Sequence, residues 1–191
     1  MARPKLFDPD EALDAAVAVF REHGYAGASA EMLTEAMQIG KQSLYNTFGG
    51  KWPLYCRALE RYAETETSEH ITALKAGDGA LAGIERMMKR VVAQARMPCL
   101  GVSCVAEFGT DSEGSPELAR IREAGGRAMR TLLLEKIRQA QADGEIATRV
   151  DANHASAFLI ANIAALRLAA RGGAGDTELR AMARLALQAL K

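Results

Sequence analysis

The stretch "SAEMLTEAMQIGKQSLYNTFGGKWPLY", residues 29–55, holds two short helical runs joined by a three-residue break. Ser29 is a suitable N-cap for "AEMLTEAM" at 30–37, and "QIG" at 38–40 is long enough only for a turn. A second run starts at Lys41, ends at Thr47 and is stopped by Gly49-Gly50. Two short helices at this spacing form a helix-turn-helix, whose second helix can enter the major groove of double-stranded DNA. Leu33, Ala36 and Ile39 supply the inner face of the first helix and the turn, and Leu44 and Phe48 that of the second. The opposite face presents Lys41, Gln42, Ser43, Tyr45, Asn46 and Thr47, residue types that donate to phosphates or read base edges.

Such a pair is too small to fold alone, so its neighbours matter. Upstream, Asp8-Pro9-Asp10-Glu11 opens a helix with Asp8 as N-cap, Pro9 at the first helical position and Glu11 in a carboxylate variant of the capping box. Leu13, Ala16, Val17 and Phe20 then recur with helical spacing, and Gly24 ends the run, which predicts a helix over 8–23. Arg3 and Lys5 precede it as an arm within reach of DNA, the other reading being a disordered terminus. Downstream, a fourth helix covers 51–75, with Pro53 in its first turn and Tyr55, Ala58, Leu59 and Tyr62 on one face, until "GDG" at 77–79 breaks it. Further helices are predicted over 79–96, 103–110, 116–143 (capped by Ser115), 151–171 (capped by Asp151) and 176–190 (capped by Asp176). "RMPCLG" and "GTDSEGSPE" read as loops between them. Nothing alternates with period two for long enough to suggest a sheet. The sequence therefore predicts an all-α chain. A three-helix unit at 1–50 containing the helix-turn-helix is joined by the long fourth helix, as a connecting strut, to a larger helical part within 51–191.

A hydrophobic content of 49% over 191 residues is ample for a sizeable core without staples. The chain is formally neutral, so any attraction to nucleic acid has to be local. Between residues 38 and 61 Lys41, Lys51, Arg57 and Arg61 face only Glu60, a basic footprint where the second helix would dock. The run "AFLIANIAALRLAA" at 157–170 is interrupted by Asn162 and Arg167 and is too short for a membrane span. The start "MARPKLFDPDEALDAA" lacks the apolar segment of a secretory leader, and Cys56, Cys99 and Cys104 cannot all pair within the chain. A reducing, cytoplasmic setting follows as an expectation.

The residues 29–55 are similar to the DNA-binding signature of the TetR family of bacterial repressors. "LY" at 44–45, Phe48, Lys51 and Leu54 stand at that family's spacing, and "DEALDAAVAVFREHGYAGAS" resembles its first helix. The match is close over residues 8–59 and loose beyond, where the length and helix count of 51–191 are those of the family's effector-binding and dimerisation domain. The resemblance thus implies a helix-turn-helix DNA-binding domain at 1–50 and that domain at 51–191. The resemblance implies a repressor in which the Tyr45 hydroxyl and Lys51 contact phosphates while Lys41, Gln42, Ser43 and Asn46 face bases or backbone. Ser29 adds a phosphate contact at a helix N-terminus, or only caps its helix. Two positions depart from the family pattern. Gln38 stands where the turn commonly carries glycine, and Trp52 replaces the charged residue often found after the lysine, where packing on the fourth helix or against the larger domain is the available role.

In the C-terminal part the helix at 151–171 is apolar nearly all round, and that at 176–190 adds Leu179, Met182, Leu185, Ala186 and Leu190. Two such helices predict a homodimer through a four-helix bundle, as the resemblance also implies; a monomeric core pair is the alternative. Met87, Met88, Cys104, Phe108, Met129, Phe158 and Asn162 are candidate lining for a pocket that takes a small apolar or amphiphilic effector, although such side chains are more often core. Cys99 and Cys104, in "PCLGVSC", offer a redox- or electrophile-sensing pair as an alternative mode of control, and a helical ligand-binding protein without DNA function is a further one. His23, His70 and His154 lack metal-ligand spacing, and no phosphate loop, nucleophile elbow or catalytic carboxylate pair is present. No metal, cofactor or enzymatic activity is expected.

Overall fold

In the computed structural model, residues 7–109 and 116–191 are described, and among them the chain forms nine helices and no strand. These are α1 (Pro9–Gly27), α2 (Ala30–Ala36), α3 (Lys41–Phe48), α4 (Lys51–Lys75), α5 (Ala80–Gln94), α6 (Leu100–Phe108), α7 (Pro116–Ala142), α8 (Ala152–Arg171) and α9 (Asp176–Gln188). The predicted roles of Arg3, Lys5 and Ser115 fall outside the described residues.

Packing divides the chain into two units. One holds α1, α2, α3, α4 as far as Thr65, α6 and α7 as far as Glu123; the other holds the rest. The compact unit that holds the first three helices extends past residue 50, because the first turns of α4 and all of α6 cover the apolar faces of those helices. That covering arises between segments far apart in sequence and has no local sign.

The first unit is built on Phe20, Leu33, Leu44 and Leu54, all nearly or fully buried, with Leu100 and Cys104 of α6 and Leu118 and Ile121 of α7 in the same core. Met37 is buried and Ala36 is exposed, so the inner face of α2 is rotated by one residue from its expected position. The N-caps at Asp8 and Ser29 form as read: their side chains accept from the amides of Asp10 at 2.8 Å and Met32 at 3.1 Å. Gly24 does interrupt α1, at φ 69° and ψ −175°, but one more turn follows before Ala28. The helix predicted from 103 starts at Leu100, because "LGV" is apolar and has the core to bury into. Trp52 packs edge-on to Tyr25, with ring centroids 5.3 Å apart, and against Tyr55 and Phe108, all within this unit.

The second unit is held by Ile84, Met87, Met88 and Val91 of α5, Leu133 and Ile137 of α7, Leu159 and Leu166 of α8, and Leu179 of α9. Asp151 caps α8 through the amides of Asn153 and His154, both at 2.9 Å. Asp176 is not the cap of α9: Gly175 occupies that position, and Asp176 is the first helical residue, where its carboxylate still suits the helix dipole and pairs with Arg96 at 3.0 Å. A charged group lies within the unit, with the Arg167 guanidinium 3% exposed and 2.6 Å from Glu66, which also receives Arg90 at 3.4 Å. Arg90 donates to His70 Nδ1 at 3.1 Å, so the His70 proton sits on Nε2, facing Glu66 3.8 Å away.

Candidate nucleic-acid interface

The geometry of α3 is set from both ends. At its start, α2 closes in a Schellman motif: the Ile39 amide donates to Thr34 O and the Gln38 amide to Glu35 O, each at 3.1 Å. This places Gln38 in the left-handed region at φ 54°, the position glycine would favour, and it is the sole non-glycine residue with positive φ among those described. At its end Gly49, at φ 80°, returns its amide to Tyr45 O at 2.9 Å, and Gly50 leads straight into α4. Between these stops Leu44 and Phe48 are 2% and 4% exposed, so they fix one face of α3 to the core.

The other face is open. Lys41, Gln42, Tyr45 and Asn46 are exposed, whereas Ser43 and Thr47 sit half-buried at its flanks. Gln42 Nε2 donates to Asn46 Oδ1 at 2.9 Å, one turn along, so the two amides are held together with Gln42 Oε1 and Asn46 Nδ2 directed to other partners. The Tyr45 ring lies against Gly50, where a Cβ would come within 3.3 Å of its Cε1, while 52% of the residue remains exposed. That contact brings Tyr45 beside the N-terminus of α4, which opens with Lys51. The Lys51 ammonium stands 4.4 Å from the centroid of the Tyr25 ring. Tyr45 and Lys51 therefore stand at the junction of α3 and α4, and both are residue types that reach phosphates.

The local charge is narrower than the sequence suggests. Arg61 is held by Asp10 and Asp14, Glu60 pairs with Arg120 at 3.3 Å, and the Arg57 guanidinium lies 4.9 Å over the Phe48 ring. Lys41 has a carboxylate nearby: the pKa of Glu31 is lowered by a backbone hydrogen bond, then by the Ser29 hydroxyl, and to a lesser extent by Lys41. Ser29 is therefore engaged as a cap beside an ionised carboxylate, an unfavourable setting for the phosphate contact that was its other reading.

The seven residues named as effector lining are not brought together within either unit. Met87, Met88 and Met129 fill the core of the second unit, while Cys104 and Phe108 belong to that of the first. Phe158 is 42% exposed on α8, and Asn162 turns its amide back to Phe158 O at 2.8 Å. The cysteines are equally constrained. Burial pushes the Cys56 thiol up to about 12, with Glu117 adding to the shift, and burial raises the Cys104 thiol as well. Cys99 is half-buried at the N-cap of α6. A buried thiol that resists ionisation is a poor electrophile sensor, so this geometry does not favour Cys104 in that role.

Sequence reading missed the contact between Tyr25 and Glu107, beside the Lys51 ammonium. The Glu107 carboxylate accepts from the Tyr25 amide at 2.9 and 3.1 Å and from the Ala26 amide at 3.3 Å. These partners are more than 80 residues apart, and the only local sign was a glycine followed by an aromatic residue.

An anchored second helix with an open polar face and a phosphate-ready edge defines a helix-turn-helix DNA-binding protein. Residues 12–55 match the family model "Bacterial regulatory proteins, tetR family". The HTH-type transcriptional repressor ComR of Escherichia coli (strain K12) is 30% identical over 185 residues, covering 95% of this chain and 88% of ComR. The uncharacterized HTH-type transcriptional regulator YezE of Bacillus subtilis (strain 168) is 29% identical over 148 residues, 76% of each chain. Among solved structures, a cysteine-substituted form of the TetR family transcriptional regulator CifR, complexed with 26-base-pair operator DNA, superimposes with a TM-score of 0.80 at 30% identity over 100% of both chains. The chain belongs to the TetR family and is a DNA-binding transcriptional regulator. None of its described helices is long and apolar enough to cross a membrane.

Proposed function

We propose that the protein is a homodimeric repressor that binds a palindromic operator and is released by a small apolar or amphiphilic effector, with residues 1–50 reading DNA and the remainder sensing and dimerising. The observation that carries the DNA-reading part is the two-sidedness of α3: Leu44 and Phe48 buried, Gln42, Tyr45 and Asn46 in solvent. In this reading Gln42 and Asn46 address base edges, Lys41, Ser43 and Thr47 contact backbone or bases at the flanks, and Tyr45 and Lys51 hold phosphates. ComR is a repressor and CifR was solved on operator DNA, which supports repression and an operator as the target here.

The dimer reading is supported by exposed apolar side chains on the two last helices. Phe158 and Leu168 of α8 and Leu185 of α9 are 42%, 55% and 64% exposed. Apolar surface on paired helices invites a two-fold four-helix bundle, which would set two recognition helices about 34 Å apart on successive major-groove faces. An effector that alters this spacing prevents both from docking at once. Selection of bound sequences from random DNA tests the reading, followed by a screen for compounds that release the complex. A palindromic consensus with ligand-dependent release is expected, and failure to enrich any sequence would refute it.

A further inference from the structure

We infer that Glu107 of α6 is a positioning residue for DNA binding, acting through Tyr25 on the Lys51 ammonium; the inference rests on the reading of Lys51 as a phosphate contact. The argument starts at Gly24. Its φ of 69° and ψ of −175° are open to glycine alone, and they interrupt the hydrogen-bond ladder of α1 so that the amides of Tyr25 and Ala26 point outward together. Two successive free amides make a small anion-binding nest. The nest is filled from within the unit by the Glu107 carboxylate, which takes both amides at 2.9–3.3 Å. The backbone angles are what require glycine at position 24, and a Cβ there would in addition push the end of the Glu107 carboxylate away from the amides.

This clamp fixes the backbone of Tyr25, and the Tyr25 ring is held on its other sides by Trp52, Tyr55 and Phe108, at centroid distances of 5.3, 5.1 and 5.6 Å. The face left to it carries the Lys51 ammonium at 4.4 Å. Lysine is a long side chain whose ordering opposes binding, and a ring fixed beneath its ammonium removes part of that cost before DNA arrives. Because the ring is fixed by a carboxylate on α6, the place of the ammonium depends on where α6 lies. Neither Glu107 nor Tyr25 needs to touch DNA for this.

The test uses the full chain and the sequence it selects from random DNA, with dissociation constants measured over a range of salt concentrations. Lys51→Ala is expected to weaken binding and reduce the magnitude of the log–log salt slope by about 0.9 per neutralised phosphate lost. Glu107→Ala is expected to weaken binding about three- to tenfold, and to do so less than twofold in the Lys51→Ala background. Tyr25→Phe, which keeps the ring, should bind as the native protein does, and Tyr25→Leu should reproduce Glu107→Ala. This tyrosine pair carries the test should Glu107→Ala lower the melting temperature. A Glu107→Ala effect that is absent, or undiminished in the Lys51→Ala background, overturns the inference. Lys51→Ala leaving affinity and slope unchanged instead overturns the phosphate reading on which it rests.

Discussion

Leu44→Ala and Asn46→Ala lie two residues apart on α3 and should fail in opposite ways. Leu44 is 2% exposed and anchored among Phe20, Leu33 and Leu54 of the first unit's core, so truncation removes buried methyl groups and leaves a cavity that a helix stopped by Gly49-Gly50 is poorly placed to fill. The cost is about 3 kcal/mol, within the range of about 2–5 for such changes. For a chain of this length that lowers the melting temperature by about 6–12 °C. Asn46 is exposed and its Oδ1 accepts from the Gln42 amide, so Asn46→Ala should move the melting temperature by no more than about 1–2 °C. Circular dichroism melts paired with gel shifts at 10 °C and 30 °C separate the two. Leu44→Ala should bind nearly normally in the cold and weaken on warming, as the head opens locally. Asn46→Ala should lose about 1–3 kcal/mol of affinity at both temperatures, the worth of a good base contact. If Asn46→Ala melted as early as Leu44→Ala, or if Leu44→Ala melted like the native protein, the assignment of the two faces of α3 would be wrong.

Three further outcomes follow from particular residues. Gln38→Gly should raise stability by up to about 1 kcal/mol in denaturant unfolding, since it relieves a left-handed conformation and gives back part of the gain in chain entropy. Leu168→Glu with Leu185→Glu should shift the protein from dimer to monomer in sedimentation at micromolar concentration, and weaken operator binding with it. The pKa of His70 is lowered chiefly by burial, against an opposing effect of Glu66, with Arg167 adding a smaller lowering. The unfolded chain therefore takes up that proton more readily than the native one. This contribution to stability is complete above about pH 6.5 and declines as pH falls below it, by at most about 1.4 kcal/mol per pH unit. Denaturant unfolding between pH 7.5 and 5 should show the decline, and His70→Gln should flatten it.

The parts of this protein that were legible in its sequence are those fixed by short-range chemistry. Asp8, Ser29 and Asp151 announce helix starts because a short polar side chain can reach amides two or three residues on. Leu44 and Phe48 declare their face because four residues make about one turn. Gln38 stood out because the family's turn commonly carries glycine there, and its φ of 54° is the left-handed conformation that glycine favours. Illegible were the features that need two distant segments. Leu100 starts α6 earlier than its sequence suggests because a core receives it, and Arg61 does not add to the basic footprint because Asp10 and Asp14 approach from α1. The methionines expected to line an effector pocket lie in a core for the same reason: a methionine on a helical face looks alike whether it meets a ligand or Val91 and Leu133, and only the partner helix decides.

These long-range pairings also bear on how a formally neutral chain can favour DNA. Affinity drawn from bulk charge would be indifferent to sequence and easily screened. Here most charges near the head are cancelled at close range: Arg61 by two aspartates, Glu60 by Arg120, and the α2 terminus by its own Glu31. The proposed DNA contacts are instead the Lys51 ammonium, held over an aromatic ring, the Tyr45 phenol and the paired amides of Gln42 and Asn46. On this proposal few phosphates are held per DNA-reading unit and non-specific attraction is weak, so tight binding comes from base-edge matching and from two units acting at once. A regulator made this way is sensitive to small displacements, because losing the fit of one head removes most of what distinguishes its operator from other DNA.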